Sequence, residues 1–486
     1  MSDAIKGLEP KRVWEFFAEI SKIPRCSKNE EKISKYVVKT AKSMGLEAKA
    51  DKLGNVVVRK PASKGYGKSP SLCLQGHLDM VCENNKDTKH DFQKDPIEIV
   101  RDGNVLKANG TTLGADNGIA VAMSLAIMED KSLEHGPLEF LFTVDEETGL
   151  IGASNLGEDF LVSRTMLNVD SEEEGALYVG CAGGEDTLGT WKAAFDPSPA
   201  GSMAADLKVG GLKGGHSGLE IHTGRGNAIK IINRVLMGLA DLGARIAKID
   251  GGNKRNAIPR EAEARVFIPK KSWDEATALV ERFNTTIKAE VATVDPDLAI
   301  SLEALPRVKK GNVFKRPLQK KILRTIAALP HGVIKMSADI PDLVETSTNV
   351  AVIKTTKKAV QIATSQRSSV DSEIIEICQS VAAVFDLGGA EIDEGGGYPG
   401  WKPNLDSKIL KVAKSTYKKL YGKEPAVKAI HAGLECGIIG AKYPGMDMVS
   451  LGPNLADVHS PDEKMEIESA KNVWEYLLAI LKNAAK

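Results

Sequence analysis

Short apolar runs recur in the first third of the chain, and several stop on acid or histidine. Residues 138–144, LEFLFTV, are mostly apolar and end on Asp145, Glu146 and Glu147. Residues 71–75 run into Gly76-His77-Leu78-Asp79, and residues 166–169 run into Asp170 and then Glu172 to Glu174. Runs this short, with few breakers, predict buried strands. Helical spacing fills the intervals. Val13, Phe16, Phe17 and Ile20 share one side of a helix over 10–23, with Pro24 beyond its end. A second helix, capped by Ser27 or Asn29, carries Ile33, Val37, Ala41 and Met44 as far as Gly45. Strands are expected over 46–50 and 55–60, a hairpin over 97–108 around Asp102-Gly103, and a helix over 119–128 after the loop GTTLGADNG. Alternating strands and helices predict an α/β fold with a mostly parallel, helix-covered sheet.

The pattern changes near Ala182-Gly183-Gly184. From 188 to 394 strands alternate more cleanly and the acid-tipped runs disappear, which predicts a second, α+β domain. Its centre is Gly-rich, GGLKGGHSG over 210–218. Residues 256–270 and 349–367 look like two versions of one strand pair, each before an amphipathic helix (273–292 and 370–385), a sign of a duplicated unit. Gly395 to Gly400 reads as a linker. A helix over 406–420, a strand containing IHAGLECG (430–437), a strand over 446–451 and a helix over 467–481 then resume the earlier style. The expected organisation is one sheet domain, 1–187 and 395–486, interrupted by an inserted domain, 188–394.

A chain of 486 residues is too long for one ordinary core, which agrees with two domains. Its 65 Lys and Arg balance 65 Asp and Glu, so no basic face is forced and nothing favours nucleic acid. The N-terminus lacks the apolar core of a signal peptide, and no apolar run approaches the ~20 residues of a membrane span. Cys26, Cys73, Cys82, Cys181, Cys378 and Cys436 show no CxxC spacing and read as reduced thiols, which predicts a cytoplasmic protein with no membrane partner.

Five segments present metal-ligand types at strand ends or in loops: His77 with Asp79, Asp116, Glu146 with Glu147, Asp170, and His459. Each alone has an ordinary alternative. Asp-Glu-Glu makes a solvated turn, Asp116 before Asn117-Gly118 is a turn former, and His459 before Ser460-Pro461 can cap the last helix. Together they form a His/Asp/Glu set without Cys, which suits zinc, manganese or cobalt.

GHLDMV, LGADNG, TVDEETG, NVDSEEEG, GGHSG and HSPDE follow, in order, the motifs of another group of proteins. On these the chain resembles the co-catalytic metallopeptidases that include carnosinases, aminoacylases and glutamate carboxypeptidase. KGGHSGLEIH, NAIPREA and IHAGLECG bring it closest to the bacterial aminoacyl-histidine dipeptidases, and the likeness runs from the first helix to the last. The resemblance implies two divalent ions per chain, zinc foremost with cobalt or manganese as alternatives. It implies ligands at His77, Asp116, Glu147, Asp170 and His459, with Asp116 bridging. Asp79 would orient His77, and Glu146 would be the general base. His216 in GGHSG would steady the oxyanion from the inserted domain, which would then be a lid. Arg367, Asn256 and Gly433 would contact substrate. Tyr398 and Trp401 read as packing, and no cysteine matches a metal position.

The expected activity is hydrolysis of the peptide bond in short unblocked peptides, Xaa-His and carnosine-like ones among them. An N-acyl amino acid hydrolase of the same family and an inactive peptide-binding relative are the alternatives. In simple family members the lid histidine comes from a partner subunit, so a homodimer through the lid domain is one expectation; the alternative is that the long inserted domain, 188–394, supplies His216 within one chain.

Overall fold

Leu72–His77 and Leu138–Thr143 are buried at every position. Strands covered on both faces have no reason to alternate, which is why their sequences are near-continuous apolar runs. In the computed structural model, which describes residues 3–486, they lie at the middle of an eight-stranded sheet. Its order is Glu47–Ala50, Val56–Lys60, Leu138–Thr143, Leu72–His77, Thr165–Asn168, Asp447–Ser450, Ala176–Cys181, Ala426–Ile430. The four central strands are parallel. Val56–Lys60 and Ala176–Cys181 pair with them antiparallel, and Glu47–Ala50 is antiparallel to Val56–Lys60. The parallel strands therefore all deliver their C-terminal ends to one edge, the edge at which open α/β sheets place ligands.

The helix Ala115–Glu129 is buried along almost its whole length, as its apolar sequence requires. It packs on Leu72–His77 and on the helix Lys11–Ile20. Its first turn comes very close to the sheet at Gly76, where a Cβ would stand 2.3 Å from Asn117 Oδ1 and 2.8 Å from Ala120 Cβ. Helical geometry is broken at Asp116 and Asn117 (ψ 110° and 33°), so the regular helix begins beyond them.

The chain forms two compact units. One comprises the chain up to Cys181, Pro403–Ala429 and Leu434–Lys486; the other comprises Ala182–Lys402 and Ile430–Gly433. The second unit is built on an antiparallel sheet in the order Ala299–Ala304, Ser202–Gly210, Ala262–Pro269, Arg245–Gly251, Val344–Thr355, Ala359–Ser368, Gly183–Lys192, Glu391–Tyr398. Helices Ala228–Asp241, Trp273–Glu290, Arg316–Ala328 and Asp371–Leu387 contribute Ile232, Leu239, Val280, Ile322 and Phe385 to its core.

Several expectations are corrected. The joints expected at 188 and 394 fall inside the strands Gly183–Lys192 and Glu391–Tyr398. These two strands pair with each other, so most of the expected linker 395–400 is sheet edge. IHAGLECG is not a strand: it spans the last residue of Ala426–Ile430, a loop, and the start of the helix Glu435–Lys442. The duplication fails as well. Val344–Thr355 and Ala359–Ser368 pair with each other, whereas Ala257–Ile258 pairs with Gly215–His216 and Ala262–Pro269 pairs with two other strands. Neither Ser27 nor Asn29 caps the second helix; its N-cap is Glu30, with no side-chain cap bond.

The cysteines are corrected too. Cys26 and Cys82 form a disulfide, their Cα atoms 5.7 Å apart across 56 positions of sequence. Cys26 is brought there because it runs beside Met80, whose N–H donates to the Arg25 carbonyl (3.1 Å). Cys73, Cys181, Cys378 and Cys436 are buried thiols. Among the described residues no helix is long and apolar enough to cross a membrane.

Candidate active site

Seven of the eleven singled-out residues meet in the first unit, at the C-terminal edge of the parallel strands. His77 ends its strand with Nε2 3.0 Å from Asp116 Oδ1 and 3.5 Å from Asp170 Oδ1. His459 presents Nε2 3.1 Å from Asp116 Oδ2 and 3.0 Å from Glu147 Oε2. The two oxygens of Asp116 therefore face different histidines. His77, Asp116 and Asp170 form one group able to hold an ion, Asp116, Glu147 and His459 a second, and His77, Glu146 and Glu147 a third. Glu147 Oε1 and Asp170 Oδ1 are buried without a hydrogen bond. Buried polar atoms are rarely left so. Bare carboxylate oxygens converging with imidazole nitrogens fit borderline to hard divalent cations.

The chain reaches this arrangement by leaving strand geometry. Glu146 and Glu147 are neighbours and would face opposite ways in a strand. The strand ends at Thr143, and Asp145 takes a left-handed φ of 51°. Glu30 Oε1 accepts the Asp145 N–H (2.9 Å), and Thr148 Oγ1 donates to Asp145 Oδ1 (2.6 Å). Asp79 then receives both following amides, Glu146 N–H on Oδ1 (3.1 Å) and Glu147 N–H on Oδ2 (3.2 Å). It also accepts from Ser27 Oγ (2.8 Å) and lies 3.4 Å from His77 Nδ1. Burial alone would raise the Asp79 carboxyl; His77, the Glu146 amide and Ser27 outweigh it and bring it to about 2. Glu30, Asp79 and Asp145 also approach one another closely enough to resemble an ion site. Their oxygens are engaged by these protein donors, which makes the trio scaffold.

Asn117 ties two ligand strands together, its Oδ1 accepting the His77 N–H (3.2 Å) and its Nδ2 donating to the Val169 carbonyl (2.6 Å). Beneath them Glu435, fully buried, accepts from Gln75 Nε2 and Thr143 Oγ1, both at 2.6 Å, while Gln75 Oε1 accepts from Asn168 Nδ2 (2.5 Å). Burial pushes Glu435 up to about 7. Arg25, also buried, donates to the carbonyls of Leu78 (3.1 Å), Asp79 (3.0 Å) and Gly114.

The same crowding sets the proton affinities. Burial drives Glu146 well above the usual carboxylate range, and Asp170, Glu435 and Glu147 push the same way against His77. Hydrogen bonds to Asp116 and Glu147 raise His459 to about 11. Ligands must be deprotonated to bind cations, so an ion entering this cluster would have to displace protons.

The other four singled-out residues belong to the second unit. His216 Nδ1 accepts the amides of Gly218 (3.2 Å) and Leu219 (3.1 Å), which places the imidazole proton on Nε2. Burial, helped by the charge of Arg367, lowers His216 to about 4, so near neutral pH it is an uncharged donor. Arg367 is buried, opposite Ser347 and Gly184 in the sheet, and donates from Nη1 to the Tyr398 hydroxyl (2.7 Å). Tyr398 is thus a partner of Arg367, which corrects its reading as packing alone; Trp401 is buried. Gly433 makes room for the Tyr398 ring, which a Cβ would approach to 2.7 Å. Asn256 is exposed, and its carbonyl accepts the Ser217 N–H (2.9 Å).

Sequence patterns did not point to Arg25, Glu30, Glu435 or Glu463, nor to His431, which is buried with Nε2 2.7 Å from Ser347 Oγ. Glu463 and Glu435 stand inside the motifs HSPDE and IHAGLECG, so position alone could have flagged them. Arg25 carries no such signal.

Beyond the C-terminal ends of the parallel strands, two histidines and four carboxylates gather around Asp116, an arrangement with the ligand types of a hydrolase's metal centre. Residues 73–483 match the family described as Peptidase family M20/M25/M40, and the chain belongs to that peptidase family. It is 42% identical over 479 residues to the cytosol non-specific dipeptidase of Escherichia coli (strain K12), covering 98% of each chain. The crystal structure of aminoacylhistidine dipeptidase from Vibrio alginolyticus superposes with a TM-score of 0.90 at 42% identity, covering 98% of this chain and 97% of that one. Aminopeptidase PepT from Bacillus cereus shares the fold at 18% identity, with a TM-score of 0.57 over 99% of this chain and 100% of that one.

Proposed function

We propose that this peptidase is a two-metal dipeptidase acting on short unblocked peptides, Xaa-His and carnosine-like ones among them. The observation that carries the reading is the split of Asp116 between His77 and His459, which is what a carboxylate shared by two ions requires. His77 and Asp170 would complete one site, Glu147 and His459 the other. Zinc suits the set, with cobalt or manganese as alternatives. Two ions held there would supply Lewis acidity, lowering the pKa of water and polarising a carbonyl.

The chain's own groups do the rest. Glu146, whose environment favours holding a proton, takes one from water and passes it to the leaving amine. Asp79 orients His77 and, through two amides, the Glu146-Glu147 pair. His216 donates a hydrogen bond from Nε2–H to the oxyanion without bringing a charge. Arg367, its guanidinium steadied by Tyr398, grips the substrate's terminal carboxylate, with Asn256 and Gly433 as further contacts. The domain bearing His216 acts as a lid, and a homodimer through it is part of the reading. A binding relative would have no need of Glu146, which weighs against an inactive protein. The cytosolic relative favours a cytoplasmic setting; the Cys26–Cys82 bond pulls the other way, because structural disulfides are rare there.

The test is a panel of dipeptides and N-acetyl amino acids with the metal-reconstituted enzyme. Free dipeptides, including some with C-terminal His, should show the larger kcat/KM. Preference for N-acyl substrates would make the protein an acylase instead. For the lid, His216→Ala should lower kcat by roughly 10²–10³ with metal content unchanged, the usual loss for one oxyanion donor. A near-wild-type kcat would remove His216 from the reaction.

A further inference from the structure

We propose that Glu463 is a positioning residue that locks the Asp116 loop to the His459 loop and sets how tightly the Asp116–Glu147–His459 group holds its ion. This rests on the two-ion reading above. Glu463 is only 2% exposed. Its Oε2 accepts the amides of Leu113 (2.7 Å) and Gly114 (2.9 Å), and its Oε1 those of Ala115 (2.8 Å) and Asp116 (3.3 Å). These four successive amides lie just ahead of the regular helix, which begins beyond Asn117, and a row of converging N–H groups favours an anion. The N-cap position here is Gly114, left-handed at φ 68° and without a side chain, so the cap comes from 349 residues away.

Glu463 is bound to its own loop as well. Its N–H donates to the Ser460 carbonyl (3.1 Å), next to His459. His459 itself has a left-handed φ of 61° and a side chain 49% exposed. No strand holds it: it lies between the short strands Leu455–Ala456 and Lys464–Glu466. Support for the two groups is therefore unequal. His77 ends a buried strand, Asp170 closely follows another, and Asn117 ties the two strands together. His459 reaches Asp116 from a loop whose buried attachment to the Asp116 segment is the Glu463 carboxylate.

A carboxylate is needed because both oxygens must accept. In Glu463→Gln one oxygen becomes an NH₂ group facing two amide donors, a buried mismatch that the loops can relieve only by separating. Loss of such an outer partner typically weakens metal binding 10–100-fold, and here the loss should fall on one ion of the two.

The experiment titrates metal-free protein with zinc against a chelating indicator. Wild type should take up two ions. Glu463→Gln should bind one as wild type does and the other about 10–100-fold more weakly, with kcat recovering as zinc is raised. A general structural defect would weaken both sites together, without recovery. Two wild-type affinities, or equal loss at both sites, overturns the proposal while leaving the two-ion reading intact. Wild type that binds no ion overturns both. Should the variant not fold, hydrogen exchange on the wild type decides. Zinc should slow exchange at residues 113–116 and 457–463 together, and protection confined to one segment overturns the coupling.

Discussion

Glu146→Gln should retain two ions per chain and lose at least about 10²–10⁴ of kcat, the contribution of a general base. Its neighbour should behave differently. Glu147→Gln replaces a carboxylate oxygen 3.0 Å from His459 with a neutral amide, a poorer donor to a divalent cation, so metal content should fall along with rate. The contrast follows from the turn at Asp145. Asp79 holds both backbone amides, which fixes the two side chains independently of each other, and neither needs the other to stay in place. Metal analysis beside kcat for both variants checks this. Metal lost from Glu146→Gln and kept in Glu147→Gln would mean the roles are exchanged. Metal and activity kept in both would make the acidic tip a solvated turn. Since Glu146→Gln leaves the ligands and Arg367 untouched, it should also hold a dipeptide long enough to trap a complex.

Removing the ions should abolish hydrolysis altogether. Dialysis against a chelator, followed by elemental analysis, should give inactive protein that zinc, cobalt or manganese restores. The recovery should be steeper at higher pH. The hydrogen bonds that raise His459 to about 11 mean that it carries a proton through the neutral range in the metal-free cluster. An incoming ion must displace that proton, so apparent affinity rises with pH and falls as the solution is acidified. Full activity in protein shown to be metal-free would end the two-metal mechanism.

Most of the reacting groups are legible in the amino-acid sequence because of how parallel sheets are made. Strands buried on both faces must be apolar, so a polar residue at their tips stands out, and His77, Glu146 and Asp170 all stand at or just beyond such tips. Asp116 and His459 sit in loops and are legible through motif order. Contacts between segments far apart in sequence stay hidden. Glu463 meets residue 113 across 350 positions, and Glu435 meets Gln75 across 360. No periodicity encodes such a meeting. Local composition misleads in two places. Gly395 to Gly397 look like a linker, although most of 395–400 follows the edge of a sheet and Gly397 passes so close to Glu185 that a Cβ would stand 2.3 Å from Oε2. Cys26 and Cys82 look unrelated because the bridge beside Met80 depends on how residues 24–30 lie along the site.

The ownership of residues 430–433 bears on how such a gene can be rearranged. This tetrapeptide belongs to the second unit although the chain has by then returned to the first. The Ala182 amide donates to the Ile430 carbonyl (3.0 Å), and His431 reaches Ser347. A fragment excised at 182 and 402 would lack part of itself, and a first unit closed by a short linker would keep four residues with nothing to pair. The middle of the chain is therefore no interchangeable cassette. Recombination between relatives, or a graft made at the bench, has to move two separated pieces of coding sequence together.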